Sequence, residues 1–179
     1  MAKFTGERLW LNGLTSIDEG VAQELRKVKG GLVLSGLTSI DKDVAQVLAK
    51  FKGEYLCLGL TSINKDVAQV LGKVKDLSLD GLTSIDKDVV QALAKVKDLS
   101  LRGLTSIDKD VAQVLRKVKG GLVLSGLTSI DKDVAQELAK FTGERLWLNG
   151  LTSIDEVSLA YLKSNPLIEL PKEYSDKKD

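Results

Sequence analysis

The sequence predicts an α/β solenoid in which each coil contributes one short parallel β-strand and one α-helix. Three observations predict it. The string Gly-Leu-Thr-Ser-Ile occurs seven times, leucines alternate with variable residues just before each string, and an apolar pattern of helical period follows it. Repeats of about 20–29 residues with this order of elements are typical of stacked coils that bury one continuous core.

The repeated strings tile almost the whole chain. Successive strings are 23, 23, 22, 22, 23 and 24 residues apart, and residues 30–46 recur letter for letter at 120–136. We therefore predict about seven repeats within a solenoid spanning residues 1–163. Residues 164–179 contain Pro166 and Pro171 and lose the pattern, which predicts a C-terminal cap followed by a charged tail.

The strand of each coil is predicted by alternation. In "LVLSGLTSID", Leu32 and Leu34 alternate with Val33 and Ser35, as expected for a strand with one buried face. Strands stacked from neighbouring coils would form a curved parallel sheet on the concave side. We expect the following Gly36 to supply either a positive φ or a close approach between coils.

The helix of each coil is predicted by a cap and an apolar stripe. Val44, Ala45, Leu48 and Phe51 lie on one face of a helix, which would pack against the back of the sheet. The residue after each Ile is one of the strong N-cap side chains. These caps are Asp18, Asp41, Asn64, Asp86, Asp108, Asp131 and Asp155.

The composition of the chain gives no support for binding to nucleic acid or to a membrane. The chain has 26 Lys and Arg against 25 Asp and Glu, a net charge of +1, so bulk charge favours neither nucleic acid nor a membrane surface. No apolar run is long enough to span a membrane, and the first residues lack an apolar leader. With a single cysteine as well, the chain as given favours the cytoplasm.

The residue types argue against catalysis, a cofactor or a metal site. The chain has no histidine, which excludes catalytic Ser-His and Cys-His pairs and histidine metal ligands. The "DKD" triplets lack the further oxygens and the glycine of a calcium loop, so we interpret them as helix caps. Aligned backward from Leu60, Cys57 takes an inward strand position, and we interpret it as a core residue.

These motifs resemble the leucine-rich-repeat family, in a bacterial-type variant with repeats of 22–24 residues. The resemblance rests on the Leu-x-Leu strands, the fixed "GLTSI" turn and one helix per repeat. The position that carries a ladder asparagine in the family holds a leucine here, for example Leu37. The resemblance implies a curved scaffold that binds proteins on its concave sheet, without a shared chemistry.

The outward strand positions differ between coils, so we predict that they contact the partner. The same backward alignment turns Leu56 and Leu58 outward, and tryptophans stand at the two ends of the row. The predicted binding residues are Trp10, Asn12, Val33, Leu56, Leu58, Asp80, Arg102, Val123, Trp147 and Asn149.

Two classes of function remain open. The preferred one is a noncatalytic module that binds a protein partner through the concave face. The alternative is a structural or self-associating repeat segment of a longer protein, a spacer whose length and rigidity matter. The first strand, about Arg8–Asn12, would leave an open sheet edge, which predicts weak self-association.

Overall fold

The computed structural model describes residues 7–175. Its strands are β1 (Arg8–Trp10), β2 (Gly31–Leu34), β3 (Tyr55–Leu58), β4 (Asp76–Ser78), β5 (Asp98–Ser100), β6 (Gly121–Val123), β7 (Arg145–Trp147) and β8 (Ile168–Glu169). Its helices are α1 (Glu19–Leu25), α2 (Lys42–Leu48), α3 (Lys65–Leu71), α4 (Lys87–Leu93), α5 (Lys109–Leu115), α6 (Lys132–Leu138), α7 (Glu156–Lys163) and α8 (Lys172–Ser175). Strand and helix alternate throughout, as the repeats predict.

The strands form one parallel sheet in chain order, from β1 to β8. Neighbouring strands pair with corresponding residues opposite each other, for example Leu32 opposite Leu56 and Leu99 opposite Leu122. We number the coils 1 to 7, each made of the strand and the helix with the same number. Coil order in space is therefore coil order in sequence, and the predicted curved α/β solenoid is confirmed.

The core lies between the sheet and the helices. The inward leucines Leu32, Leu34 and Leu37 are fully buried, and so are their equivalents in the interior coils. Val44, Ala45 and Leu48 of the predicted stripe lie in α2 and are buried. Phe51 is buried as well, but α2 ends at Leu48, so Phe51 reaches the core from the segment after the helix. A fully buried leucine contributes about 1.5–3 kcal/mol, so this repeated layer supplies most of the driving force for folding.

The predicted helix caps are confirmed in all seven coils. Each cap residue has extended backbone dihedrals, and its side-chain oxygen accepts a hydrogen bond from the backbone N–H three residues later, at 2.8–3.0 Å. Asn64 caps α3 in the same way as the aspartates cap the others. A helix leaves its first four N–H groups without intrahelical partners whatever its length, and each cap satisfies one of them in helices that have only seven residues in coils 1 to 6.

The glycine of the "GLTSI" string is explained by close approach and not by its dihedrals. Among residues 7–175, no glycine has a positive φ. A Cβ built on Gly36 would overlap the carbonyl oxygen of Asn12, and one on Gly150 would overlap that of Ser125. In each case the obstacle belongs to the preceding coil. Gly13 is different, since nothing lies within 4 Å of its added Cβ.

Coil 3 corrects one prediction. Leu56 and Leu58 point inward and are fully buried, while Tyr55 and Cys57 lie half-buried on the opposite face. The turn from Leu58 to Leu60 is one residue shorter than the corresponding turn from Leu34 to Leu37, so an alignment started at the glycine is shifted by one residue. Leu56 and Leu58 are therefore not partner-binding residues, and Cys57 is not a core residue.

A charge ladder on the helical side joins the interior coils. In each rung, the Lys of one coil's triplet, which is Asp-Lys-Asp or in coil 3 Asn-Lys-Asp, reaches the final Asp of the next coil's triplet. The rungs are Lys42–Asp66, Lys65–Asp88, Lys87–Asp110 and Lys109–Asp133, with N–O distances of 2.9–3.3 Å. The triplet thus has two functions, since its first Asp caps a helix and its other residues bridge coils.

The C-terminal residues cover the far side of coil 7. β8 pairs with β7, and Asn165 donates hydrogen bonds to the carbonyls of Ala139 and Phe141 at 2.8 and 2.9 Å. The Tyr174 hydroxyl, in α8, donates to the carbonyl of Thr152 at 3.0 Å. The predicted charged tail lies in part, at 176–179, outside the described residues.

Candidate interaction surface on the concave face of the sheet

The concave face of the sheet carries outward side chains in three rows that run across the coils. The first row contains Arg8, Gly31, Tyr55, Asp76, Asp98, Gly121 and Arg145. The second row contains Trp10, Val33, Cys57, Ser78, Ser100, Val123 and Trp147. The third, just beyond the strands, contains Asn12, Ser35, Asp80, Arg102, Ser125 and Asn149. Aromatic, basic, acidic and hydroxyl side chains are therefore presented together, while the inward rows are almost uniformly leucine.

Most of these side chains line an open groove of about 680 Å³ that extends from coil 1 to coil 7. Trp10 and Trp147 stand at its two ends, and acidic side chains from coils 4 and 5 lie in its middle. Because the groove crosses every coil, its floor is fixed by the ladder of the sheet and by the leucines beneath it.

The two tryptophans have different surroundings. Trp10 is 58% exposed, and Trp147 is half-buried. The ring of Trp147 lies across Gly121, where an added Cβ would come within 2.9 Å of it. Gly121 therefore provides the space in which this ring lies against coil 6.

The middle of the groove is acidic. Asp76 and Asp98 are paired across β4 and β5. Burial, and secondly the charge of Asp98, raise the pKa of Asp76 to about 6. Asp98 is held in place because one of its oxygens accepts a hydrogen bond from the Gly121 N–H at 2.7 Å. A cationic group that entered the groove here would meet two neighbouring carboxyls.

Arg8 and Tyr55 cover the sheet between coils 1 and 3. The guanidinium of Arg8 lies 5.8 Å from the centre of the Tyr55 ring, a distance that permits a cation–π contact. Gly31 lies between them on β2, and an added Cβ there would come within 2.9 Å of the Arg8 side chain. Burial raises the pKa of Tyr55 to about 12, so its hydroxyl stays protonated.

Two of the predicted binding residues also join neighbouring coils. Asp80 accepts hydrogen bonds from the Ser100 hydroxyl at 2.6 Å and from the Arg102 backbone N–H at 3.0 Å. Asn12 accepts one from the Ser35 backbone N–H at 3.4 Å. These side-chain oxygens therefore bridge one coil to the next. Part of their bonding capacity is therefore used inside the scaffold.

The predicted binding residues differ in what they can offer a partner. Trp10, Asn12, Arg102 and Asn149 are exposed, whereas Asp80, Val123 and Trp147 are half-buried. Val33 belongs to the outward row but is only 3% exposed, so it lies in the floor of the groove and offers a partner almost no surface. With Leu56 and Leu58 facing the core, seven of the ten predicted residues remain accessible on one face: Trp10, Asn12, Asp80, Arg102, Val123, Trp147 and Asn149.

The first outward row was missed in the sequence. It adds Arg8, Tyr55, Asp76 and Asp98 to the groove lining, and the corrected coil 3 adds Cys57. The same alternation that located Trp10 and Trp147 extends two residues further back in every coil, and would have found this row.

Residues 7–175 contain neither a cluster of metal-ligating side chains nor a helix suited to crossing a membrane. No group of three or more His, Cys, Asp or Glu side chains there is placed to hold a metal ion. None of the helices in that part of the chain combines the length and the apolar character that crossing a membrane requires.

No family model and no curated protein matches the chain. Among solved structures it is similar to a chain of the Toll–Spatzle complex of Drosophila, with a TM-score of 0.57 and 15% identity over 84% of this chain and 21% of that one. It is also similar to the functional domain of InlJ from Listeria monocytogenes, with a TM-score of 0.43 and 14% identity over 92% of this chain and 35% of that one. The chain thus spans about a fifth to a third of the lengths of these structures.

Proposed function

Because the chain has the leucine-rich-repeat fold, we propose that it is a noncatalytic scaffold that binds a protein partner through its concave face. The observation that carries this proposal is the contrast between the two sides of the sheet. The inward positions repeat the same leucines from coil to coil, whereas the outward positions combine indole, guanidinium, carboxyl and hydroxyl groups in one continuous groove. Chemical variety on a rigid, uniform support suits recognition better than packing.

The size of the surface favours a protein over a small ligand. Trp10 and Trp147 lie on strands six steps apart, which is roughly 29 Å along the sheet at about 4.8 Å per strand. A small folded domain is about 30 Å across, so a single protein could contact both indoles. Tryptophan and arginine are also the residues that most often carry binding energy in interfaces, which makes Trp10, Trp147 and Arg102 the proposed anchors.

The comparison with Toll supports the same class of function. One of the solved structures to which this chain is similar is a complex between two proteins, Toll and Spatzle. At 15% identity the likeness extends to the fold, and the residues of this chain's groove are its own.

Position-specific crosslinking tests the proposal. A photo-crosslinking amino acid at position 123 lies in the groove without replacing a proposed anchor, and the same amino acid at position 157, an exposed site on α7, is the matched control. We expect a protein partner to be captured from position 123 and not from position 157. The purified partner should then bind the unmodified chain, and Arg102→Glu should weaken that binding tenfold or more without changing the denaturation midpoint.

Two outcomes would contradict binding of the partner in the groove. Equal capture from both positions, or binding that is unchanged in both Arg102→Glu and Trp147→Ala, would place the partner elsewhere on the molecule. Arg102 is exposed, so its replacement separates loss of binding from loss of folding.

A second candidate, a self-associating structural segment, is favoured by the edge of the sheet. Within residues 7–175, β1 pairs with β2 alone, and Trp10, the last residue of β1, is well exposed. Open strand edges pair with other chains. We propose weak self-association through β1, which sedimentation should detect as a molecular weight that rises with concentration. Arg8→Pro, which removes a backbone N–H on the side of β1 that does not face β2, should abolish the rise, and a monomer at all concentrations would contradict this candidate.

A further inference from the structure

Coils 1 and 7 have N-terminal faces of the same sequence. Residues 4–19 recur unchanged at 141–156. We call the side of a coil that is turned toward lower coil numbers its N-terminal face. In coil 7 this face packs against coil 6. The structure therefore shows which contacts this sequence makes when another coil precedes it.

The junction between coils 6 and 7 is held by the sheet ladder and by fitted surfaces. Leu122 lies opposite Leu146 in the ladder, and the Glu144 N–H donates to the Gly120 carbonyl at 2.9 Å. Further along, the Thr152 N–H donates to the carbonyl of Thr128 at 2.9 Å. The ring of Trp147 lies across Gly121, which has no side chain to obstruct it.

The corresponding groups of coil 1 lack this cover among the described residues. Leu9, Leu11 and Leu14 are partly exposed, whereas their counterparts in coil 7 are buried. Trp10 is 58% exposed. An apolar row that is completed everywhere else in the solenoid is thus left half-covered at this face.

Gly13 gives the most specific indication that another coil would fit against coil 1. The equivalent glycine in every later coil is required because backbone of the preceding coil occupies the space of a side chain. The space beside Gly13 is empty within 4 Å, yet the glycine is present. It is therefore suited to a neighbour that the described part of the chain does not supply.

We propose that the N-terminal face of coil 1 is a docking face for one further leucine-rich-repeat coil, with the contact residues of coil 6, joined to the chain ahead of coil 1. A second copy of this protein does not present such a coil. Its coil 6 is covered by coil 7, and the far side of coil 7 is covered by β8 and α8. The required coil carries inward leucines and a glycine opposite Arg8, as Gly121 stands opposite Arg145.

An N-terminal extension tests this directly. A copy of residues 117–140 is placed ahead of Phe4, so that the new junction has the same sequence as the one between 140 and 141. In a Trp147→Phe background, Trp10 is the only tryptophan. We expect the extension to reduce acrylamide quenching of Trp10 to the level measured for Trp147 in the unextended Trp10→Phe protein.

Gly13→Ala supplies a second readout on the same face. In the unextended chain we expect the urea midpoint to stay the same or rise slightly, because nothing obstructs the methyl group. In the extended chain the same substitution should lower the midpoint, as Gly150→Ala does in coil 7. Such coupling requires contact between the added coil and residue 13.

The matched control is the same extension with Gly121→Val and Leu122→Asp in the added copy, which removes the space for the indole and the apolar contact. Its Trp10 should remain as accessible as in the unextended chain. The proposal is overturned if the intact extension leaves Trp10 equally quenched, or if Gly13→Ala has the same effect with and without it. Self-association through β1 should also disappear on extension, and a dimer that persists unchanged would show that the face is used otherwise.

Discussion

Coils 1 and 7 contain the same sixteen residues, at 4–19 and 141–156, and yet the described part of the first copy has surroundings that differ from those of the second. Leu146 is fully buried and Leu9 is not, Trp147 is half-buried and Trp10 is exposed, and Gly150 is crowded where Gly13 is free. The difference arises from the preceding coil, because each coil contacts its neighbours and little else. In such a solenoid, the importance of a residue is set by the coil beside it as much as by its own sequence.

The leucine pair should give the largest contrast. Leu146→Ala removes a fully buried side chain between two coils, which costs about 2–5 kcal/mol. Leu9→Ala removes the same side chain from a partly exposed site, and we expect less than half that loss. Urea denaturation of the two variants measures both values, and equal losses would mean that coil 1 is covered as completely as coil 7.

The glycine pair should differ in sign. Gly150→Ala drives a methyl group into the Ser125 carbonyl, and overpacking of this kind costs about 1–3 kcal/mol. Gly13→Ala meets no obstacle and has no positive φ to lose, so restriction of the unfolded chain should stabilise by about 0.4–1 kcal/mol. Thermal unfolding of both variants decides this, and a destabilised Gly13→Ala protein would show a hidden contact.

The acidic centre of the groove should make stability depend on pH through Asp76 in coil 4. Because the pKa of Asp76 is raised to about 6 in the folded state, folding favours its protonated form. The contribution of Asp76 to stability should therefore fall as the pH rises from about 4 to above 6, by about 1 kcal/mol once its half exposure is allowed for.

Asp76→Asn is the variant that isolates this carboxyl. It should be more stable than the parent at pH 7 and should lose that part of the pH dependence. Denaturation curves at pH 4.5, 6 and 7.5 measure it, and an unchanged pH profile would contradict the assignment. Asp133→Asn, in the exposed charge ladder, serves as the control.

The charge ladder should have the smallest effect. Breaking one rung with Asp88→Asn removes an exposed ion pair with Lys65, and such pairs contribute about 0.2–1 kcal/mol. Coil 1 has Glu19 where the interior coils have the ladder lysine, so Glu19→Lys should add a rung to Asp43 and stabilise by a similar amount. Both effects should shrink in 1 M salt, and effects that salt leaves unchanged would have another origin.

Much of the fold could be predicted from the sequence because the repeats present the same evidence seven times. The caps illustrate this, since the single Asn64 among aspartates indicates capping from sequence alone. Register in coil 3 could not be predicted in the same way. Removing one residue from its turn leaves the "GLTSI" string intact, and only the burial of Leu56 and Leu58 reveals that the strand is shifted.

The candidate site was less predictable for two physical reasons. Outward direction follows from alternation, which located Trp10 and Trp147, but exposure depends on neighbouring side chains, and Val33 is buried among them. The bridges from Asp80 and from the ladder lysines join residues that lie 20 to 24 positions apart. Such pairings require knowledge of how successive coils are aligned in space, which composition and local pattern do not contain.

The charge ladder also makes the interior coils interchangeable. Every rung takes its lysine from one coil and its aspartate from the next, so each interior triplet carries one donor for the following coil and one acceptor for the preceding coil. If an interior coil were deleted or duplicated, the lysine of each remaining coil would again face the aspartate of the next one. No other sequence change would be needed. The array can therefore lengthen or shorten by recombination between near-identical repeats and still form an ion pair at each new junction between interior coils. Only coils 1 and 7, whose triplets begin Asp-Glu, depart from this rule.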